Sequence, residues 1–173
     1  MKILTIATTA LILLSIQAQS AEKQWEWKFP VRQVAWEHVQ RIGSDRSYPV
    51  FVQGELALVS CEYNGALLAL DATTGAEAWR FHTGGPLRKA ATGDGERIFI
   101  GGESGVLFCL DKTGKLLWKK RGGPSDRKVL GHGRLISAWP IMASPLVKDN
   151  IVYFTAGYWP LEGVYCYALD TKT

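Results

Sequence analysis

The 173-residue sequence has few of the residues that most often build metal and nucleophilic sites, with only three cysteines and three histidines. Cys61, Cys109 and Cys166 form no adjacent pair, no C-x-x-C pair and no C-x-x-C-H haem-attachment signature. Three histidines are too few for a metal cluster, and no Ser/His/Asp, Cys/His or paired-carboxylate arrangement stands out. The sequence therefore predicts no catalytic and no metal-ligating residue.

The sequence also has little excess charge of one sign. Its formal net charge is +4, which is too small to indicate nucleic-acid binding. A long apolar run occurs at the N-terminus, where residues 3–16 follow Lys2 and precede a small-residue cleavage site at 18–20. This pattern is typical of a secretory signal, and the run is too short to span a bilayer comfortably. We therefore expect residues 1–20 to be a cleaved signal peptide, no transmembrane segment, and a periplasmic or secreted protein.

A short pattern recurs along the rest of the chain. Residues 69–79 read ALDATTGAEAW, residues 109–118 read CLDKTGKLLW, and residues 168–170 begin a third copy with ALD. Asp71 and Asp111 are 40 residues apart. A period near 40 built from short strands and turns is typical of a β-propeller with one four-stranded blade per repeat.

Strand and turn signals within each repeat predict the blades in more detail. We expect strands at 56–59, 66–70 and through Trp79 in the first repeat, at 87–92, 97–100, 106–110 and 115–119 in the second, and at 144–147, 151–156 and 164–169 in the third. The predicted fold is all-β: a β-propeller of four-stranded antiparallel blades, present as a partial arc of about three blades over residues 50–173.

The N-terminal segment, residues 21–49, precedes these repeats. Trp25, Trp27 and Phe29 alternate with charged residues, which predicts a strand that either closes a propeller ring or pairs locally. Residues 33–40 are predicted to form a short helical turn.

The recurring pattern has a physical reason at each position. An aspartate after a strand can accept hydrogen bonds from the next turn, and glycine lets that turn take a positive φ. A small residue leaves room for a tryptophan ring between neighbouring blades, so the tryptophans are expected to be structural. The predicted docking positions are Ala69, Asp71, Gly75 and Trp79, then Asp111, Gly114 and Trp118, then Ala168 and Asp170. Cys109 takes the place of Ala69 and is expected to be a small core residue, with a disulfide as the alternative.

These residues carry a family resemblance. With Asp seven or eight residues before Trp, the pattern resembles the tryptophan-docking repeats of pyrroloquinoline-quinone (PQQ) propellers over most of residues 50–173. The chain is therefore similar to the quinoprotein alcohol dehydrogenase-like superfamily, which includes the non-catalytic propeller of outer-membrane protein assembly. Catalytic members use an adjacent cysteine pair, calcium ligands and a catalytic aspartate, and none of these can be carried over to this sequence.

The third repeat is longer than the second, and its extra residues suggest a ligand-binding site. Asp111 and Asp170 are 59 residues apart, so the third repeat carries about 19 extra residues, which fall in 121–140 and 157–163. In an up-and-down blade these two segments emerge on one face. Residues predicted to bind a ligand there are Arg127, His132, Arg134, Trp139, Tyr158 and Trp159, because cations recognise anions and aromatic rings stack on planar groups.

A structural interpretation of the same residues stays open. Arg127 can pair with Asp126, Trp139 can dock into the next blade as core, and His132 can be an exposed turn residue.

Two functions are compatible with the sequence. The first is an exported binding or scaffold propeller that engages a protein or a small anionic ligand through the enlarged loops, with no cofactor. The alternative is a PQQ-dependent dehydrogenase whose catalytic residues lie in missing C-terminal blades, and only this alternative implies PQQ and calcium.

Overall fold

The computed structural model describes residues 23–28, 48–131 and 133–172, and the predicted signal peptide, the predicted helical turn at 33–40 and His132 lie outside them. The described chain is a succession of β-strands with one 3-10 turn at Pro160–Glu162. The strands are β1 (Val50–Gln53), β2 (Leu56–Ser60), β3 (Ala66–Asp71), β4 (Glu77–His82), β5 (Thr92–Gly93), β6 (Arg97–Gly101), β7 (Val106–Asp111), β8 (Leu116–Arg121), β9 (Lys128–Gly131), β10 (Arg134–Ser137), β11 (Leu146–Lys148), β12 (Ile151–Ala156) and β13 (Tyr165–Asp170).

These strands form three blades and one separate ribbon. Blade one is the sheet β1-β2-β3-β4, blade two is β5-β6-β7-β8, and blade three is β11-β12-β13. Each is an antiparallel meander in which every strand pairs with its neighbour in sequence. The predicted all-β architecture, a partial arc of about three blades, is confirmed.

The outer strands differ most from the prediction. Strand β1 was not predicted, because Val50 and Val52 are exposed on an edge strand whose pattern alternates weakly. The predicted strand at 87–92 is wrong for most of its length, since only Thr92 joins β5. Leu87 is instead a fully buried residue of the link between blades one and two, which explains its apolar character.

The core lies between the blades. One cluster joins blades one and two and contains Leu58, Ile98 and Phe108. A second joins blades two and three and contains Phe99 and Phe154. The central strands β3 and β7 are buried on both faces, as expected for sheets that are covered by neighbours on either side.

A third cluster lies on the opposite face of blade one. Trp25, Trp27 and Tyr48 pack there against residues of β2 and β3. Residues 23–28 belong to no sheet in this structure. Their proposed ring-closing role therefore stays a prediction.

The described residues contain no helix with the length and apolarity that a membrane crossing requires.

Candidate functional site

The tryptophans of the repeat join each blade to the next. The Nε1 of Trp79 on β4 donates to the carbonyl oxygen of Lys112 at 2.8 Å. The Nε1 of Trp118 donates to the carbonyl oxygen of Thr171 at 3.1 Å, one blade further on. In both contacts the acceptor belongs to the turn after the third strand of the following blade, which we call the docking turn.

The aspartate at the start of each docking turn holds that turn in shape. Asp71 Oδ1 accepts hydrogen bonds from the backbone N–H of Thr73 at 3.0 Å and of Thr74 at 2.7 Å. These bonds, above all those from Thr74, lower the pKa of Asp71 below its ordinary value. Asp111 accepts from Thr113, whose hydroxyl is the main cause of the lowered pKa of Asp111. Asp170 accepts from the backbone N–H of Lys172 at 2.7 Å.

The glycine of the docking turn makes room for the ring. Gly114 has φ of 81°, and a Cβ built there would lie 2.6 Å from Cδ2 of Trp79. Gly75 has φ of 73° and would meet Cδ2 of Trp25 at 2.7 Å in the same way. The indole of Trp25 also donates to the carbonyl oxygen of Ala72 at 2.9 Å, so the N-terminal segment contacts blade one as blade one contacts blade two.

The small residue at the head of each copy pairs with its tryptophan. Ala69 lies opposite Trp79, and Cys109 lies opposite Trp118; both small residues are fully buried. Burial raises the pKa of the Cys109 thiol to about 12. All three cysteines are free thiols, and Ala168 lies exposed on the outer face of blade three.

The two enlarged segments, 121–140 and 157–163, meet on one face, as blade topology predicts; we call this the enlarged face. Arg127 forms an ion pair with Glu162, and the Trp139 indole donates to the carbonyl oxygen of Glu162 at 2.6 Å. The backbone N–H of Gly157 donates to the carbonyl oxygen of Pro140 at 3.0 Å. The enlarged face is therefore one connected surface.

Trp139 and Arg127 hold this surface together. Trp139 is 5% exposed and packs in the core between blades two and three. The guanidinium of Arg127 lies over its ring, 5.4 Å from the ring centroid. Asp126 pairs with Lys128 and Arg121, which lower its pKa, so the suggested pairing of Arg127 with Asp126 is wrong. Both side chains thus already have partners within the chain.

The other predicted ligand-binding residues lie around this connection. Tyr158 is exposed and Trp159 is half-buried, and their rings are perpendicular with centroids 5.3 Å apart. Arg134 is half-buried on β10. Leu161, in the 3-10 turn between these aromatic residues and Glu162, is fully exposed.

Sequence reasoning missed a two-stranded ribbon within the first enlarged segment, which was predicted as a loop. Strands β9 and β10 pair antiparallel, and Gly133, directly before β10, has φ of 74°. Leu130 and Leu135 lie opposite each other and are 78% and 73% exposed. The signal was present in the apolar pairs at 129–130 and 135–136 on either side of a glycine-rich turn.

A buried ion triad, also missed, lies where blades one and two meet. Arg88 Nη1 contacts Glu62 Oε1, and Arg88 Nε contacts Glu103 Oε1, each at 2.6 Å. Glu62 and Glu103 follow the second strand of their blades, and Arg88 belongs to the link between the blades. The triad is therefore a second inter-blade connection. No cluster of three or more His, Cys, Asp or Glu side chains that could hold a metal ion occurs in the described ranges.

A PQQ-repeat family model described as outer membrane protein assembly factor BamB matches residues 11–139 and 63–173. BamB of Nitrosomonas eutropha is 34% identical over 73 residues, which are 42% of this chain and 17% of that protein. The chain spans a fifth or less of the length of the curated relatives it matches.

Solved structures agree on the fold. BamB from Moraxella catarrhalis superposes with a TM-score of 0.53 at 23% identity, over 71% of this chain and 33% of that chain. Quinohemoprotein alcohol dehydrogenase from Comamonas testosteroni superposes with a TM-score of 0.58 at 19% identity, over 74% of this chain and 20% of that chain. At these identities the structures show the propeller fold alone, and the family follows from the model match. The chain belongs to the BamB family of PQQ-repeat proteins.

Proposed function

We propose that this chain is part of an exported scaffold propeller that binds another protein through its enlarged face. The family supports a protein partner, because its described members are assembly factors for outer membrane proteins. The N-terminal secretory pattern supports export.

One observation carries the proposal: the two segments that depart from the repeat are joined into a single surface by Glu162. That residue pairs with Arg127 and accepts the Trp139 indole N–H through its carbonyl oxygen. Trp139 is core, so the surface is anchored to blades two and three. Enlarged loops on a rigid scaffold are where binding residues concentrate.

The chemistry of the surface favours a protein over a small anion. Arg121 and Lys128 both pair with Asp126, and Arg127 pairs with Glu162, so carboxylates of the chain already occupy these cations. Exposed apolar side chains lie beside them, as in the centre of protein interfaces, at Leu130, Leu135, Tyr158 and Leu161.

Site-specific photo-crosslinking in living cells tests this function. A benzophenone amino acid replaces Tyr158 or Arg134 in the full-length protein, and the control replaces Thr113, an exposed residue of a docking turn. We expect positions 158 and 134 to crosslink the same protein, and position 113 not to. Crosslinking that is absent, or equal from all three positions, contradicts the proposal.

Reconstitution with PQQ and calcium separates this function from the dehydrogenase alternative. We expect no bound quinone absorbance after dialysis of the full-length protein. Stoichiometric quinone uptake would contradict the scaffold proposal and support the PQQ-dependent dehydrogenase.

A further inference from the structure

The β9–β10 ribbon is apolar on both faces but packed on only one. Ile136 is 3% exposed, and Val129 packs against the core between blades two and three. On the opposite face Leu130 and Leu135 form a directly opposed cross-strand pair and remain mostly exposed. A ribbon with one solvated face ordinarily alternates apolar and polar residues, so this exposed leucine pair indicates a surface that something covers.

The register of the ribbon shows which backbone groups face outward. The backbone N–H of Ala138 donates to the carbonyl oxygen of Arg127, so hydrogen-bonded pairs fall at every second position from there. Lys128 and Leu130 therefore turn their own N–H and C=O groups away from β10. Among the described residues, no hydrogen bond outside the ribbon reaches these groups.

The two edges of the ribbon differ. On the β10 side the N–H of Ser137 donates to the carbonyl oxygen of Glu103 at 2.8 Å, so the C-terminal end of that edge is already covered by blade two. On the β9 side the outward groups of Lys128 and Leu130 are two residues apart, which is the spacing that an added strand requires. The β9 edge is thus the available one.

Charge around the ribbon favours an acidic occupant. Residues 119–136, counted together with Glu162 that pairs with Arg127, contain six basic and two acidic side chains, a formal charge of +4, so an excess of cations remains after these ion pairs. The basic residues are Lys119, Lys120, Arg121, Arg127, Lys128 and Arg134.

We propose that an extended, acidic segment of a partner protein adds to the β9 edge as a third strand and covers Leu130 and Leu135 with alternate apolar side chains. This inference rests on the proposed scaffold function and specifies its contact. The segment carries carboxylates between its apolar residues, which meet the surrounding cations.

Two other occupants fit less well. A second copy of this chain would bring two ribbons of the same positive charge together, which is unfavourable. A lipid surface would cover the leucines but leave the N–H and C=O groups of the β9 edge without hydrogen-bond partners, which is costly in hydrocarbon.

A defined peptide tests the proposal by fluorescence anisotropy with the full-length protein. The probe is a labelled peptide of alternating glutamate and valine. Its two comparison peptides replace every glutamate by lysine, or methylate every backbone nitrogen. We expect the Glu/Val peptide to bind at least tenfold more tightly than either comparison peptide, with an affinity that falls as salt is added.

Protein variants locate the binding. Leu130→Asn/Leu135→Asn is expected to weaken the Glu/Val peptide at least tenfold. Leu116→Asn/Leu117→Asn, which alters exposed leucines of β8, is expected to leave it unchanged. Both pairs are exposed, so both variants should fold, and their circular dichroism melts verify this.

Several results would overturn the strand-addition proposal. These are no saturable peptide binding up to about 1 mM, equal binding by the leucine variant, or tight binding of the N-methylated peptide. If the peptide does not bind, two results would assign the surface to another occupant. A dimer seen by sedimentation that is lost in the Leu130→Asn/Leu135→Asn variant would assign it to a second copy of the chain. Binding to phosphatidylglycerol vesicles that is lost in this variant would assign it to lipid. If the benzophenone at position 158 still crosslinks its partner in this variant, the proposed scaffold function is retained and only the proposed ribbon contact is contradicted.

Discussion

The indole Nε1 of Trp79 lies 2.8 Å from the carbonyl oxygen of Lys112, and this hydrogen bond joins two consecutive blades. Lys112 follows Asp111, the aspartate that organises the docking turn of blade two. Trp25 and Trp118 make the same contact with Ala72 and Thr171. The blade interface is thus a repeated hydrogen bond as well as an apolar contact.

The close approach of the ring to the docking turn predicts a strong effect at Gly114. We expect Gly114→Ala to lower the free energy of unfolding by about 2 kcal/mol more than Gly54→Ala, because the added methyl displaces the Trp79 ring. Gly54 also has positive φ, at 58°, but a Cβ there meets nothing within 4 Å. Urea denaturation of the full-length variants measures the difference, and equal losses would show that only backbone strain matters.

The buried ion triad predicts a large loss when its cation is removed. Arg88→Met leaves Glu62 and Glu103 buried without the guanidinium they share, and we expect a loss of about 3–5 kcal/mol in the free energy of unfolding. Adding Glu62→Gln and Glu103→Gln to that variant should restore part of the loss, because the buried charges are then gone. A triple variant no more stable than Arg88→Met would show that the effect is one of packing.

The docking turns predict how stability depends on pH. The folded state lowers the pKa of Asp71 and Asp111 below the ordinary value of 3.8, so both carboxylates stabilise the fold above that pH. This stabilisation is lost as the pH falls below 3.8 through the lower folded values. We expect Asp71→Asn/Asp111→Asn to be less stable than wild type at about pH 7, with a gap that narrows as the pH falls below 3.8. Chemical denaturation at several pH values measures the gap, and a gap independent of pH would contradict this account.

The cysteines predict a pattern of alkylation. Cys166 is exposed, whereas Cys61 and Cys109 are buried and the pKa of Cys109 is about 12. Iodoacetamide at about pH 8 should modify Cys166 first, and the other two thiols only after unfolding in urea. Peptide mass spectrometry identifies the sites. Rapid native modification of Cys109 would show that the interface between blades two and three opens.

The blades were predictable from sequence because their signals are local. The Asp, Gly and Trp of one copy lie within eleven residues, and strands β3, β6 and β7 begin where the pattern places them. Strand β1 was not predicted because an edge strand needs no continuous apolar run.

The remaining features depend on contacts between distant segments. Arg127 pairs with Glu162 rather than its neighbour Asp126, and Arg88 joins two glutamates from different blades. Local patterns identify the residue types but not such partners. The adjacency of the two enlarged segments was predictable only because blade topology places both on one face.

Since the indoles of Trp25, Trp79 and Trp118 each bond to a main-chain oxygen, the residue that supplies the oxygen is free to vary in side chain. Alanine, lysine and threonine supply it at 72, 112 and 171. A search for invariant columns in an alignment would pass over these three positions, although each one accepts a hydrogen bond that joins a blade to the segment or blade before it. Their role becomes visible only when a substitution such as proline alters the chain path itself.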